Sequence, residues 1–421
     1  MATFGDGVDA VSAFAGAAIA GIALFVPVTS RSSSVIDTPY QMASWANSIP
    51  RATTLGLIVA VVVAVLIRPG LDWLVAAGAA AALGLNYFVG HTMDSAEVLT
   101  TQNYVNALFG GVIFGALCLC SLQLRWAAAG FALGSVAVFV YGEVIALVAD
   151  NMLTTTDQAV HSPSGLIIAA VVLLAVNSVR HRHTIKPPAG PPLTADLPMV
   201  PIVSATVLAL SVLLATEWLQ REFAELHRGF WPIALAVAVT VVAAFVAATL
   251  LPGRDGTAVL VAVSLAAAGD SVIDGPSLGW RIVLVLGAAA VGILAGMRWA
   301  SPWAVLCGAA AICVFVTFSE RLPWTFVWTV GTLVLAVVAG YAFGSIRVGY
   351  GPSAVLGLGA VYLPSILWSI PTGLRNWPTG ADPMPEATAG RAALAITIGG
   401  AAALLLLYRI RSAEPTPAVT P

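Results

Sequence analysis

The sequence predicts an all-α polytopic integral membrane protein with about fourteen transmembrane helices. Three observations carry this prediction. First, 59% of the 421 residues are hydrophobic and only 9% are charged, whereas a soluble domain carries roughly 25% charged residues. So few charges cannot cover a water-exposed surface of this size, and the apolar surface must face lipid. Second, the apolar residues fall in runs that match the ~20 residues a helix needs to cross a bilayer. Third, these runs are continuous and lack the ~10-residue alternating segments of a transmembrane barrel. Backbone groups in lipid must be satisfied internally, which leaves the helix as the spanning element.

The spans read from charge and Pro/Gly breaks are 10–28, 52–67, 71–89, 103–124, 126–149, 164–179, 198–217, 230–251, 256–273, 281–297, 301–318, 324–344, 352–371 and 390–408. The segment ahead of the first run holds Asp6 and Asp9 and no basic residue. A signal peptide needs a positive n-region, so the first run is read as a membrane helix. The span 52–67 is short, and 256–273 ends in a polar stretch with Gly269, Asp270 and Asp274.

Orientation follows from Lys and Arg in short loops. Placing both termini in the cytoplasm puts Arg68, Arg125, Arg180, Arg182, Lys186, Arg254, Arg298, Arg347, Arg409 and Arg411 inside. Most of the acids then fall outside, among them Asp94, Glu97, Asp150, Glu222 and Asp382. Lys186 is the one lysine, a bias that fits a GC-rich genome of actinobacterial type. The expected location is the cell membrane.

Two local echoes suggest a repeat. Arg68-Pro69-Gly70-Leu71-Asp72 follows the second span, and Leu251-Pro252-Gly253-Arg254-Asp255 follows the eighth. Arg125-Trp126-Ala127 opens the fifth, and Arg298-Trp299-Ala300 precedes the eleventh. Both echoes are offset by six helices and flank a Pro-rich central connection. They predict an N-terminal six-helix half (1–179), a cytoplasmic linker (180–197), a C-terminal half (198–345), an extra helix pair (346–411) and a disordered tail (412–421). Parallel repeats of this kind are related by an axis along the membrane normal.

This layout resembles the major facilitator superfamily, divergent and with two extra C-terminal helices. In that family a Gly/Asp/Arg-containing inner loop joins the second and third helices and is echoed between the eighth and ninth. Gly70 with Asp72, and Gly253 with Arg254 and Asp255, occupy those positions, although the family's further basic residues are missing. The resemblance implies transport by alternating access, with Asp72, Arg254 and Asp255 as conformational inner-loop residues.

Charge inside a membrane is costly, ~2.5–3.5 kcal/mol at a helix centre, which makes it a functional lead. Glu143, inside the fifth span, is a candidate for proton coupling or a polar substrate. Asp270 ends the ninth span and Arg281 starts the tenth; both can meet a substrate, or simply form an interfacial ion pair. Asn103 and Asn106 share a face of the fourth span and, with Gln102, can form a polar entrance or an N-cap. Asn86 and Asn177 read as helix–helix hydrogen-bonding residues.

The cysteines, Cys118, Cys120, Cys307 and Cys313, show no zinc spacing. No metal motif, phosphate loop or dinucleotide fingerprint occurs, so no cofactor is expected. The formal charge of −2 gives no sign of nucleic acid. The expected partners are membrane lipids, an unknown small amphipathic or lipid substrate, and envelope proteins. The function expected is a secondary transporter or flippase. The alternatives are a polyprenyl-phosphate-sugar-dependent glycosyltransferase with Asp37 in its first outer loop, and a non-catalytic envelope scaffold.

Overall fold

The described residues form fourteen α-helices and two short 3-10 turns, with no extended sheet among them. The structure is a computed structural model that describes residues 4–25, 39–68, 70–90, 96–152, 164–182, 199–225, 229–272, 279–318, 324–346, 350–371 and 384–412. The helices are α1 (Phe4–Phe25), α2 (Pro39–Leu66), α3 (Asp72–Gly90), α4 (Ala96–Ser121), α5 (Arg125–Met152), α6 (Ser164–His181) and α7 (Val200–Ala224). They continue as α8 (Phe230–Leu250), α9 (Gly256–Ser271), α10 (Gly279–Arg298), α11 (Pro302–Phe318), α12 (Trp324–Ser345), α13 (Gly351–Gly359) and α14 (Glu386–Ser412).

Each predicted span but 352–371 overlaps one helix. Seven helical stretches among the described residues are long and apolar enough to cross a membrane, which marks the chain as a membrane protein. Several helices exceed their predictions, among them α1, which starts at Phe4, and α7, which ends at Ala224. α2 starts at Pro39 and carries Pro50 in its interior, and α4 starts at Ala96.

The span 352–371 is not one helix. α13 runs into a 3-10 turn at Ala360–Tyr362, the chain extends through Leu363–Ser365, and a second 3-10 turn covers Ile366–Ser369. Pro364 is the cause. Proline removes a backbone donor and clashes with the preceding turn, and the residue before it is pushed out of the helical region. Leu363 accordingly sits at φ −65°, ψ 127°. Irregular backbone at membrane depth is tolerated only when protein covers it, and here α13 and both turns are buried almost throughout.

At an offset of six helices the packing does not recur. α1 packs on α5 and α2 on α4, whereas α7 packs on α8 and α2, and α8 packs on α7, α9 and α14. At an offset of eight it does. The pairs α1–α5, α2–α4, α3–α4, α1–α4, α3–α6 and α1–α6 reappear as α9–α13, α10–α12, α11–α12, α9–α12, α11–α14 and α9–α14. Contacts between the two sets are exchanged in the same way: α5 packs on α10 and α12, and α13 packs on α2 and α4. The helix pair outside this pattern is α7–α8, in mid-chain rather than at the C-terminus.

Glycine makes the closest of these pairings. Gly111 and Gly115 of α4 lie on the carbonyls of Gly56 and Ala60 in α2. Gly340 and Gly344 of α12 lie on those of Ala289 and Ile293 in α10. Small residues four apart let two helix backbones touch. At the centre stands α9, in which every residue but Thr257 is buried. Its Gly, Ala, Ser and Val side chains admit neighbours from all sides, as a helix apolar all round requires.

The chain ends share one face of the bundle. Arg180 at the end of α6 reaches Asp9 in α1, and Arg411 at the end of α14 donates to Leu251 and Gly253, just ahead of α9. α1 and α9 run the same way. Tyr362 lies against Gly21 in the second half of α1, and Asp270 near the end of α9 meets Ser365.

Candidate functional site at the discontinuous element

The break in the 351–371 element creates a polar site inside the bundle. Extended backbone at Leu363–Ser365 leaves amide groups without helical partners, and buried amides need one. Asp270 supplies it: the Ser365 N–H donates to Asp270 Oδ2 at 2.8 Å. Asp270 is 4% exposed, so its carboxyl group is buried inside the bundle. The Ser365 hydroxyl oxygen accepts from the Leu367 N–H at 3.3 Å and starts the second 3-10 turn. Fifteen positions earlier in both segments, Asp255 Oδ2 accepts from the Tyr350 N–H at 3.3 Å, ahead of α13. Carboxylates at both positions face the positive ends of helical segments, where negative charge is favoured.

A small cavity adjoins Asp270. It has room for about a single water and is lined by Phe25, Phe139, Val140, Gly269, Asp270, Val272 and Leu335. α1, α5, α9 and α12 therefore meet around one carboxylate. Beside the cavity, Tyr362 fixes the element in place. Its hydroxyl donates to the Ser135 carbonyl of α5 at 2.8 Å, and its ring meets Phe25 and Phe114 edge-on, with centroids at 6.1 and 5.7 Å. Ser369 donates to the Thr216 carbonyl of α7 at 2.8 Å. The arrangement sets a carboxyl group beside apolar and aromatic side chains.

A second polar group joins α2, α3 and α4. Asn103 Nδ2 donates to Ser48 Oγ at 2.9 Å, and Asn86 Nδ2 donates to Asn106 Oδ1 at 2.7 Å. Asn103 and Asn106 thus lie well inside α4 and cap nothing, because the helix begins at Ala96. They tie helices together and do not line the Asp270 cavity. Asn86 takes the interhelical role expected of it. Asn177 instead accepts from Arg180 within its own helix, at 2.9 Å.

A third group was not foreseen. Asp9 Oδ1 accepts from Arg180 at 2.8 Å and lies 3.2 Å from His181 Nε2. The His181 ring stacks on Trp73 at 5.8 Å. In the sequence Asp9 figured only in the acidic segment ahead of the first run. The signal that could have found them is their position at matching ends of α1 and α6.

The remaining candidates are placed as follows. Glu143 lies on α5 and Arg281 on α10, but their side chains are outside the described residues, as are Asp37 and Asp274. Asp72 is the buried first residue of α3. Arg254 lies over the Tyr408 ring at 5.5 Å, which ties the turn before α9 to α14. Gly70 and Gly253 have φ of +92° and +52°, the left-handed region where glycine is free of strain. The two echoed turns therefore share a glycine of the same hand.

No family model matches the chain, and no curated protein matches it in sequence. The chain itself carries a longer echo than the two short ones. Arg51, Arg68, Trp73, Gly78-Ala79-Ala80-Ala81 and Phe88 recur as Arg281, Arg298, Trp303, Gly308-Ala309-Ala310-Ala311 and Phe318, each displaced by 230 positions. Gly111, Phe114 and Gly115 recur as Gly340, Phe343 and Gly344, and Arg180 and Arg182 as Arg409 and Arg411, displaced by 229. These positions pair α2 with α10, α3 with α11, α4 with α12 and α6 with α14, the same offset of eight helices that the packing shows.

Proposed function

We propose that the chain is an alternating-access membrane transporter of major facilitator type, moving a small amphipathic or lipid-like molecule. In this reading all fourteen elements cross the membrane. α1–α6 and α9–α14 are the two halves, and α7–α8 are inserted between them. The observation that carries the reading is the exchanged contact of α5 and α13. Each packs on the first helix of its own half and also on two helices of the other, so the halves meet along two equivalent seams. Parallel six-helix repeats built from inverted three-helix units have this form. Within each half the units are visible too: α1–α5 answers α2–α4, and α3–α4 answers α1–α6.

The buried Asp270 at a broken element supports the same reading, because discontinuous helices and intramembrane acids mark substrate and ion paths. Arg68, Arg180, Arg182, Arg254, Arg298, Arg409 and Arg411 gather on the face shared by the chain ends, which the charge rule places in the cytoplasm. Flux in proteoliposomes tests the proposal. A panel of envelope lipids, sugars and amphipathic drugs should contain a substrate that moves down an imposed gradient, and Asp270→Asn should slow it at least tenfold. Absence of gradient-driven flux for the whole panel counts against transport.

A further inference from the structure

The inserted pair α7–α8 is joined unequally to the two halves. Between α6 and α7 lie eighteen residues, 182–199, whereas α8 passes into α9 through five, Leu251–Asp255. The short turn is pinned. The Asp255 N–H donates to the Pro252 carbonyl at 3.1 Å, Arg411 of α14 donates to the Leu251 and Gly253 carbonyls, and Arg254 lies over the Tyr408 ring. A long connection has the reach to let its two ends part, and a short, pinned turn does not.

The contacts are unequal in the same sense. α8 packs on α9 and α14, with Gly256 on the Ala248 carbonyl and Gly399 against the Val241 side chain. α7 packs on α8, where the Ser204 hydroxyl donates to the Ala247 carbonyl at 2.7 Å. It also packs on α13 and the second 3-10 turn, where the Ser369 hydroxyl donates to the Thr216 carbonyl at 2.8 Å. Both bonds are buried, and parting them would leave buried polar groups unpaired, which is costly. In the first half α7 packs on α2, where Arg51 pairs with Glu217 at 2.5 Å. That pair is half in solvent. An exposed ion pair holds little, because water replaces either partner when the contact opens.

α7 thereby covers the first seam, where α13 meets α2 and α4. We infer that α7–α8 is a strap fixed to the second half and laid across this seam, and that the α2–α7 contact is the surface that slips when the halves move. The moving bodies are then α1–α6 and α7–α14. Such a strap keeps the second 3-10 turn under α7 while α2 slides, and irregular backbone at membrane depth needs that cover. The inference rests on the transport reading for the motion itself and adds which surface carries it.

Paired spin labels on the whole protein test it. In a background with the exposed Cys307 replaced, labels are placed two at a time on Leu66 of α2, Val203 of α7 and Ile410 of α14, all exposed. Val203–Ile410 should show one distance in detergent and in liposomes, at acid and at neutral pH. Leu66–Val203 should show two, apart by about one helical turn, ~5 Å, or more, in proportions that change with the conditions. A change at Val203–Ile410, or one fixed distance at Leu66–Val203 throughout, overturns the inference. Labels at Arg68 and Arg298 report the halves themselves. If that pair changes while Leu66–Val203 stays fixed, the strap is refuted and alternating access stands. Two distances at Leu66–Val203 without flux for the panel leave the strap standing and count against transport.

Discussion

The Ser365 amide donates to the Asp270 carboxylate at 2.8 Å, and this bond joins the end of α9 to the point where Pro364 interrupts the neighbouring element. It explains how a broken segment is stable inside an apolar bundle, and why a carboxylate is buried there.

Replacing Asp270 separates its two roles. Asp270→Asn keeps an acceptor for the Ser365 amide, so thermal unfolding in detergent should shift little. Asp270→Ala leaves that amide unpaired and should cost on the order of 1–3 kcal/mol. Equal melting of the two variants would show that the bond does not support the break.

Tyr362 links the two elements that cross between the helix sets, through its bond to the Ser135 carbonyl. Tyr362→Phe keeps the ring contacts with Phe25 and Phe114 and removes only the hydroxyl. The expected cost is about 0.5–1.5 kcal/mol, with faster hydrogen exchange in 351–369. Unchanged exchange there would assign the element's order to apolar packing alone.

The glycine contacts predict a matched pair of losses. A methyl group at Gly111 or Gly340 would press on the backbone carbonyl of Gly56 or Ala289. Gly111→Ala and Gly340→Ala should each destabilise by about 1–3 kcal/mol, the usual range for overpacking. Gly78→Ala meets open space and should be neutral or stabilising by a few tenths of a kcal/mol, given the helix preference for alanine. Melting temperatures of the three variants check this.

The Arg51–Glu217 pair is half in solvent, with side chains 44% and 19% exposed. Its coupling should therefore be small, about 0.2–1 kcal/mol in a double-mutant cycle. Its predicted effect is on position: Glu217→Gln should raise the accessibility of α2 to labelling along the seam that α7 covers.

Most of the fold was legible because apolar run length is a strong signal, and all fourteen elements were found from it. Position 364 shows what hydropathy alone misses. Leu363-Pro364-Ser365 lies in the middle of an apolar run, and the proline, not the hydropathy, determines the break. The repeat was read at the wrong offset for a physical reason. Arg125-Trp126 and Arg298-Trp299 resemble each other because both are cation–π pairs at helix ends, with 6.0 and 5.3 Å between groups. Such pairs arise wherever an aromatic belt meets a basic loop, whatever the helix. The wider spacing from Arg51 to Phe88 is specific, yet it is hidden when the Pro-rich connection is taken as the midpoint. Asp270 was visible as a candidate, but its partner was not. Ser365 lies 95 positions away and contributes a backbone amide, which no side-chain pattern announces.

The proposed alternating access requires reciprocal motion of the two halves, and paired distance measurements test this most directly. In a background with the exposed Cys307 replaced, spin labels at Arg68 and Arg298 report the face shared by the chain ends, and labels at Phe88 and Phe318 report the other. These four positions are exposed and related by the internal echo. In liposomes each pair should show two distances, and a change of conditions that lengthens one pair should shorten the other. A single fixed distance at both pairs under every condition would contradict alternating access.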